Sequence, residues 1–191
     1  RTNYPFKTGG DIEPILALHQ AARMRQSTPL TAKEHASWLS TLDGMYALAL
    51  WNPFTKELIL ARDPMGIKPL SRTIIDGSLF FASEIKAFHA HEKYQPKIDE
   101  LAMAARLVWE YPLDGTTLLK GVHQVRPGTV ERWSINEKGT AVFVGSADIE
   151  RQVLRPKADW NPFLHAPALL ESFVAGVQQR LMADVPVGIL L

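Results

Sequence analysis

The chain contains no cysteine. Its 191 residues therefore supply no disulfide, no thiolate zinc site, no iron–sulfur cluster and no thiol nucleophile, which is compatible with a cytoplasmic setting. It also lacks a surplus of either charge. Twenty-one Lys and Arg face 20 Asp and Glu, so composition argues against a nucleic-acid partner. The longest apolar runs, Met45–Trp51 and Gly188–Leu191, are too short to span a bilayer, and the first seven residues hold no hydrophobic signal core. No metal-ligand spacing occurs. The six histidines are scattered, only His89 and His91 lie close together, and surface or half-buried positions account for them. The G-x-S-x-G, G-x-G-x-x-G and Walker A motifs are absent, and the carboxylates are too dispersed to mark an acid–base pair by spacing.

What the chain does contain is a core. Apolar residues make up 46% and charged residues 21%, enough for one large domain or one and a half small ones and against global disorder. Asp11 to Arg23 reads as a helix with Ile12, Ile15, Leu16 and His19 on one face. Thr31, or less well Ser27, caps a second short helix through Leu39. Gly44–Trp51, Glu57–Arg62, Pro69–Ile75 and Leu79–Ala82 read as four strands joined by turns, that is, as an antiparallel meander. In the second of these, Leu58 and Leu60 share one face and Ile59 and Ala61 the other. Ser83-Glu84 opens a short helix, and Asp99 caps Glu100–Glu110 with Leu101, Ala104, Ala105 and Val108 as its apolar face. Thr117–Leu119, Gly128–Ser134 and Thr140–Val144 are further strands. Residues 145–163, charged and holding Pro156 and Pro162, read as a linker. A helix over Ala168–Met182 starts at Pro167 with a stripe of Leu169, Leu170, Phe173, Val174, Val177 and Leu181, and Val187–Leu191 suits a buried parallel strand. The chain opens on Arg1 and closes on an apolar strand, so a segment of a longer protein is expected.

Five phrases in order carry a resemblance. They are Thr8-Gly9-Gly10-Asp11-Ile12-Glu13, Leu42–Trp51 with Leu60–Leu70, Phe81–Ala87, Leu118–Gly128 and Ala183–Leu191. Together they closely resemble the class II glutamine amidotransferases, asparagine synthetases in particular, whose matching phrases read T-x-S-D-x-E, L-x-G-M-F-A-F-A-L-W with L-A-R-D-x-x-G-I-K-P-L, F-A-S-E-I-K-A, and T-L-F-K-G-I-x-x-L-P-P-G. The last resembles the stretch before the synthetase's pyrophosphate loop. The resemblance implies an α+β chain: an N-terminal-nucleophile αββα sandwich of antiparallel sheets lacking its first strands, followed by the first helix and strand of an α/β ATP-pyrophosphatase domain. The implied division is a partial glutaminase domain at 1–144, a linker at 145–163 and the start of the ATP-binding domain at 164–191.

The implied chemistry is asparagine synthesis. A thiol releases ammonia from glutamine, and the ammonia reaches an aspartate carboxylate activated by ATP. ATP with magnesium belongs to the full-length protein, and none is expected on this segment, which is expected to be inactive alone. Implied partners are glutamine, aspartate and ATP, with no nucleic acid or membrane; a homodimer is an assembly the resemblance allows, and the expected location is the cytoplasm. The rivals are another ATP-dependent amidotransferase, such as a β-lactam synthetase relative, and a non-catalytic binding module on the same fold.

No catalytic and no metal-binding residue is expected here. By resemblance Asp11 pairs with the glutamine α-ammonium; from sequence alone it serves equally well as a helix N-cap. Gly9 and Gly10 either let backbone approach the ligand or make a turn, with Gly10 standing where the family has Ser. Leu190 and Leu191 correspond to the strand that touches adenine, or to a core strand. Arg62 and Asp63 suit a loop clamp better than catalysis. Glu84 and Lys86 read as a solvated helix start, with Arg62 or Lys68 as other partners for Glu84. Tyr46, Trp51, Phe80 and Phe81 read as core rather than a ligand cage, and Asp184 with Arg180 as a structural pair or an interface.

Overall fold

The computed structural model describes residues 4–25, 28–111, 113, 115–149, 161–181, 183 and 185–188. Two compact units divide the chain, Arg1–Arg151 and Gln152–Leu191.

The first unit opens with α1 (Ile12–Arg23) and α2 (Ala32–Leu39). Thr31 starts α2 through a capping box: its hydroxyl accepts from Glu34 N at 3.3 Å while Glu34 Oε2 accepts from Thr31 N at 2.7 Å. The strands are β1 (Ala47–Asn52), β2 (Glu57–Arg62), β3 (Ser71–Ile75), β4 (Ser78–Ala82), β5 (His123–Gln124), β6 (Thr129–Ile135) and β7 (Ala141–Asp148). They form two antiparallel sheets, ordered β1-β2-β6-β7 and β4-β3-β5. The expected single meander is thus two hairpins in different sheets. The reason is long-range: β2 takes its second partner from β6, with Leu60 opposite Glu131, so the chain leaves the sheet after Arg62.

Alternation along β2 separates two cores. Ile59 and Ala61 join Leu30, Ala36, Trp38 and Leu39 on the helix side, with Ile15, Leu18 and Ala22 of α1 packed against them. Leu60 and Leu58 face the second sheet, meeting Leu70, Leu79, Val125 and Trp133. An ion pair bridges this second interface. Arg72 Nε on β3 donates to Glu131 Oε2 on β6 at 2.6 Å, Trp133 Nε1 donates to the same oxygen at 3.0 Å, and the guanidinium lies 5.1 Å from the Trp133 ring centroid. The far face of β3 buries Ser71, Thr73 and Ile75, and Thr73 donates to Gly121 O at 3.0 Å. The layers therefore run helices, sheet, sheet, then the segment around residues 117–122. This is the mixed α/β arrangement of antiparallel sheets that the resemblance implies.

Several sequence expectations change. In α1 the inward face carries Glu13 and Ala17, while Ile12 and Leu16 are exposed. In α3 (Glu100–Trp109) the cap is as expected, Asp99 accepting from Ala102 N at 2.9 Å, but the buried residue is Ala102 and Leu101 and Val108 face solvent. Residues 117–119 make only an isolated bridge, Ile98 to Leu119; the short strand of this region is β5. Strand β7 runs to Asp148, four residues into the expected linker, because Thr129–Ile135 pairs along its whole length with it.

In the second unit, α4 (Pro162–Arg180) begins at Pro162, where a missing N–H costs nothing, and Asn161 caps it through Phe163 N at 3.0 Å. Pro167 lies inside this helix rather than at its start, and the expected apolar stripe is exposed. Val187 and Gly188 are not in a strand, and Ile189, Leu190 and Leu191 lie outside the described residues.

Between α2 and the first sheet sits a neutral histidine. His35 is 3% exposed, its Nδ1 accepts from Trp38 Nε1 at 3.2 Å, and its ring stacks on His19 at 5.6 Å. Burial, followed by the charges of His19 and Arg132, pushes its pKa from 6.5 down to about 4. Between those values the unfolded chain binds more protons, so stability is fully present above pH 6.5 and declines as pH falls toward 4. His35 accounts for a loss of roughly 3 kcal/mol over that window. Urea titrations across the window should show this decline, and His35→Gln should flatten it. An equal slope in the variant would remove His35 as its source.

Candidate functional site

Two constellations follow from the motif phrases. The first is the turn before α1. Asp11 is exposed, lies at the head of α1 with helical backbone angles (φ −68°, ψ −20°), and its side chain makes no capping hydrogen bond. The N-cap alternative for this carboxylate is therefore not realised. Glu13 takes the anchoring role instead. Its carboxylate accepts from Lys7 N at 2.7 Å and from Thr8 N and Thr8 Oγ1 at 2.6 Å each. The Thr8 hydroxyl, then the Lys7 amide, hold its pKa below the usual carboxylate range against the opposing effect of burial. The sequence signal for Glu13 is its place as the last letter of the T-x-S-D-x-E phrase; neither charge nor periodicity marks it as buried.

The second constellation is Arg62–Asp63, between the two sheets' strands β2 and β3. Asp63 is 1% exposed. Its Oδ1 accepts from Met65 N at 3.1 Å and Ile67 N at 3.0 Å, and its Oδ2 from Lys68 N at 2.9 Å. Burial pushes this carboxyl up, but the backbone donors of Lys68, Ile67, Met65 and Gly66 outweigh it and leave it below the ordinary value. The Asp63 backbone joins in, donating to Tyr46 O and accepting from Gly66 N and Gly128 N. Arg62 donates to Lys68 O and Gly66 O at 2.8 Å, Val125 O at 3.0 Å and Gln124 Oε1 at 3.3 Å. Every donor on this cation that has a partner meets a backbone carbonyl or an amide, which is the work of a loop clamp. Gly66 is indispensable to it: φ is +65°, and a Cβ there would lie 2.7 Å from Pro127 Cγ.

Other candidates fall outside these two. Glu84 pairs with Lys86 at 2.6 Å on the surface, not with Arg62 or Lys68. Two of the four aromatics share a cleft and the other two lie apart. Tyr46 packs on the helix-side core, Phe80 meets His91 at 4.7 Å, and Trp51 and Phe81 line a cleft of ≈ 400 Å³ between the sheets with Leu58, Leu79 and Trp133. A smaller cavity of ≈ 300 Å³ is lined by Tyr46, Lys68, Pro69 and Ser83. The Tyr46 phenol is pushed up to about 12 by burial and the nearby Asp63 charge, so it is neutral. Arg180 donates to Gln179, and Asp184, like Leu190 and Leu191, lies outside the described residues. Among the described residues no three His, Asp or Glu gather as a metal-binding group, and no helix is long and apolar enough to cross a membrane.

Both constellations fall within residues 1–144, which match the glutamine amidotransferase domain; the chain belongs to that family. Along its whole length it is 33% identical to the amidase chyE of Penicillium rubens, of which it covers 26%. It is 30% identical to asparagine synthetase [glutamine-hydrolyzing] 1 of Bacillus subtilis over 97% of this chain and 26% of that protein. The chain thus spans about a quarter of the length of these curated relatives. A solved glutamine phosphoribosylpyrophosphate amidotransferase from B. subtilis aligns with 78% of this chain and 25% of its own at a TM-score of 0.46 and 22% identity.

The clamp makes a direct prediction. Asp63→Asn replaces one acceptor oxygen by an NH2 that faces backbone donors. It should lower the unfolding free energy by about 1–3 kcal/mol in a denaturant titration, and a change within about 0.5 kcal/mol would show that the carboxylate does not hold the loop.

Proposed function

We propose that this chain is the glutamine-recognising part of an asparagine synthetase of the glutamine-hydrolysing kind. In this reading the Asp11 carboxylate receives the α-ammonium of glutamine. A charge-assisted pair of that kind selects an amino acid over a plain amide. The side-chain amide carbon is then attacked by a thiolate, a thioester forms as ammonia leaves, and water releases glutamate. These 191 residues hold no cysteine, so the thiol is not among them.

The ammonia goes to an aspartate carboxylate activated by ATP with magnesium. Leu190 and Leu191 are proposed for the adenine side of that second site, and α4 with the residues after it for the start of the ATP-binding domain; of the linker expected at 145–163, β7 takes residues 145–148 and α4 begins at Pro162. The cytoplasmic location and a homodimer belong to the same proposal. What supports the reading is the state of Asp11: an exposed carboxylate with no capping duty, on an anchored turn, in a chain of the amidotransferase family. The second reading is another ATP-dependent amidotransferase with a different carboxylate acceptor; the match to a fungal amidase and the match to the synthetase do not choose between the two, and the test below does.

The test uses the product of the complete reading frame that contains these residues, supplied with ATP, aspartate and either glutamine or ammonium. Asparagine, AMP and pyrophosphate should form with both nitrogen donors. Asp11→Ala should raise the glutamine KM about tenfold or more and leave the ammonium-supported rate intact, because one charged hydrogen bond is worth about 1.5–3 kcal/mol. An unchanged glutamine KM would discard the role of Asp11. Turnover of a different carboxylate with no asparagine would move the assignment to the second reading.

A further inference from the structure

Glu13 is a carboxylate that substrate binding leaves unused, yet it is only 9% exposed. A buried carboxylate needs donors, and all three of its donors come from the two residues that lead into the Asp11 turn. The Thr8 hydroxyl passes the connection on, since its oxygen accepts from Gly10 N at 3.3 Å while its proton goes to Glu13. Glu13, Thr8 and Gly10 are thereby linked in a chain of hydrogen bonds that ties both ends of Gly9-Gly10-Asp11 together.

These bonds matter because, among the described residues, the two glycines of the turn have almost no packing neighbours. A Cβ at Gly9 would meet no atom within 4 Å, and one at Gly10 would meet only Thr8 Oγ1 at 3.7 Å. Two successive glycines without packing neighbours have wide backbone freedom. Left to themselves they would let the Asp11 carboxylate sweep through many orientations. Fixing it beforehand removes that ordering cost from ligand binding.

We propose that Glu13 and Thr8 are positioning residues for substrate recognition, holding the Asp11 carboxylate in the orientation that receives the glutamine ammonium. The inference rests on Asp11 being the ammonium partner. Glu13 touches no substrate; it acts through Thr8 and the backbone of the turn.

The experiment is a set of variants in the product of the complete reading frame, assayed with glutamine and with ammonium. Thr8→Val and Glu13→Gln should each raise the glutamine KM about five- to tenfold, with the ammonium-supported rate unchanged. Thr8→Ser, which keeps the hydroxyl, should retain the original KM. Added to Asp11→Ala, neither change should raise KM further, because both act through that carboxylate. If Asp11→Ala raises KM but Thr8→Val and Glu13→Gln do not, or if their effects multiply with that of Asp11→Ala, the positioning role is wrong while the recognition role of Asp11 stands. If Asp11→Ala leaves KM unchanged, the positioning role falls together with the reading beneath it.

Discussion

The carboxylate of Asp63 is the constraint on which the fold turns. Strand β2 belongs to one sheet and β3 to the other, and the chain must change sheets within the few residues between them. Three backbone N–H groups converge on this one side chain, and Arg62 collects the carbonyls of the same loop together with Val125 from beside the second sheet. A reversal made of unpaired peptide groups at this depth would leave several polar groups without partners. Two adjacent charged residues satisfy them, and Gly66 supplies the one backbone angle that the path demands. Both charges are consumed by this task, so a motif that looks catalytic in sequence is architectural.

A second buried carboxylate works on the same principle before α1. Glu13 satisfies the amides that precede α1 and so orders a turn whose own residues are too small to order themselves. In both places an acid accepts from successive backbone donors, and its pKa falls below the ordinary value. The difference lies in what is left over. At the clamp no charged atom remains for a ligand, whereas at the turn Asp11 stands next to the anchor with its carboxylate outside the helix cap. Helix α1, which carries that turn, packs through Ile15, Leu18 and Ala22 against the helix-side core that α2 and the first sheet share.

Much of this was legible in the residues. The faces of β2 could be read because Leu58 and Leu60 alternate with Ile59 and Ala61, and both faces are buried. Helix starts at Thr31 and Asp99 were legible from their capping chemistry. The division into two sheets is carried by the resemblance and not by the local strand pattern, since it depends on β6 pairing with β2 across a long stretch of chain that no local pattern encodes. Apolar periodicity placed Ile15 and His19 of α1 correctly, but not Ile12 and Leu16, and it misplaced the face of α3. In α1 the inward position is held by a carboxylate, which a hydrophobic pattern counts as surface, and in α3 the small Ala102 is buried while Leu101 is not. Pro favours a helix start, which suits Pro167 in the sequence, yet Pro162 occupies that place already. At the candidate site the motif pointed to Asp11, but its supporting Glu13 emerged only with the hydrogen bonds.

The central claim is that Asp11 holds the ammonium end of a glutamine whose amide is the nitrogen source. The most direct measurement is a crystal structure of the complete gene product with glutamine bound. The α-ammonium is expected roughly 3 Å from an Asp11 carboxylate oxygen, with the Thr8–Glu13 bonds intact. Glutamine bound with its ammonium on other groups, and Asp11 turned to solvent, would contradict it.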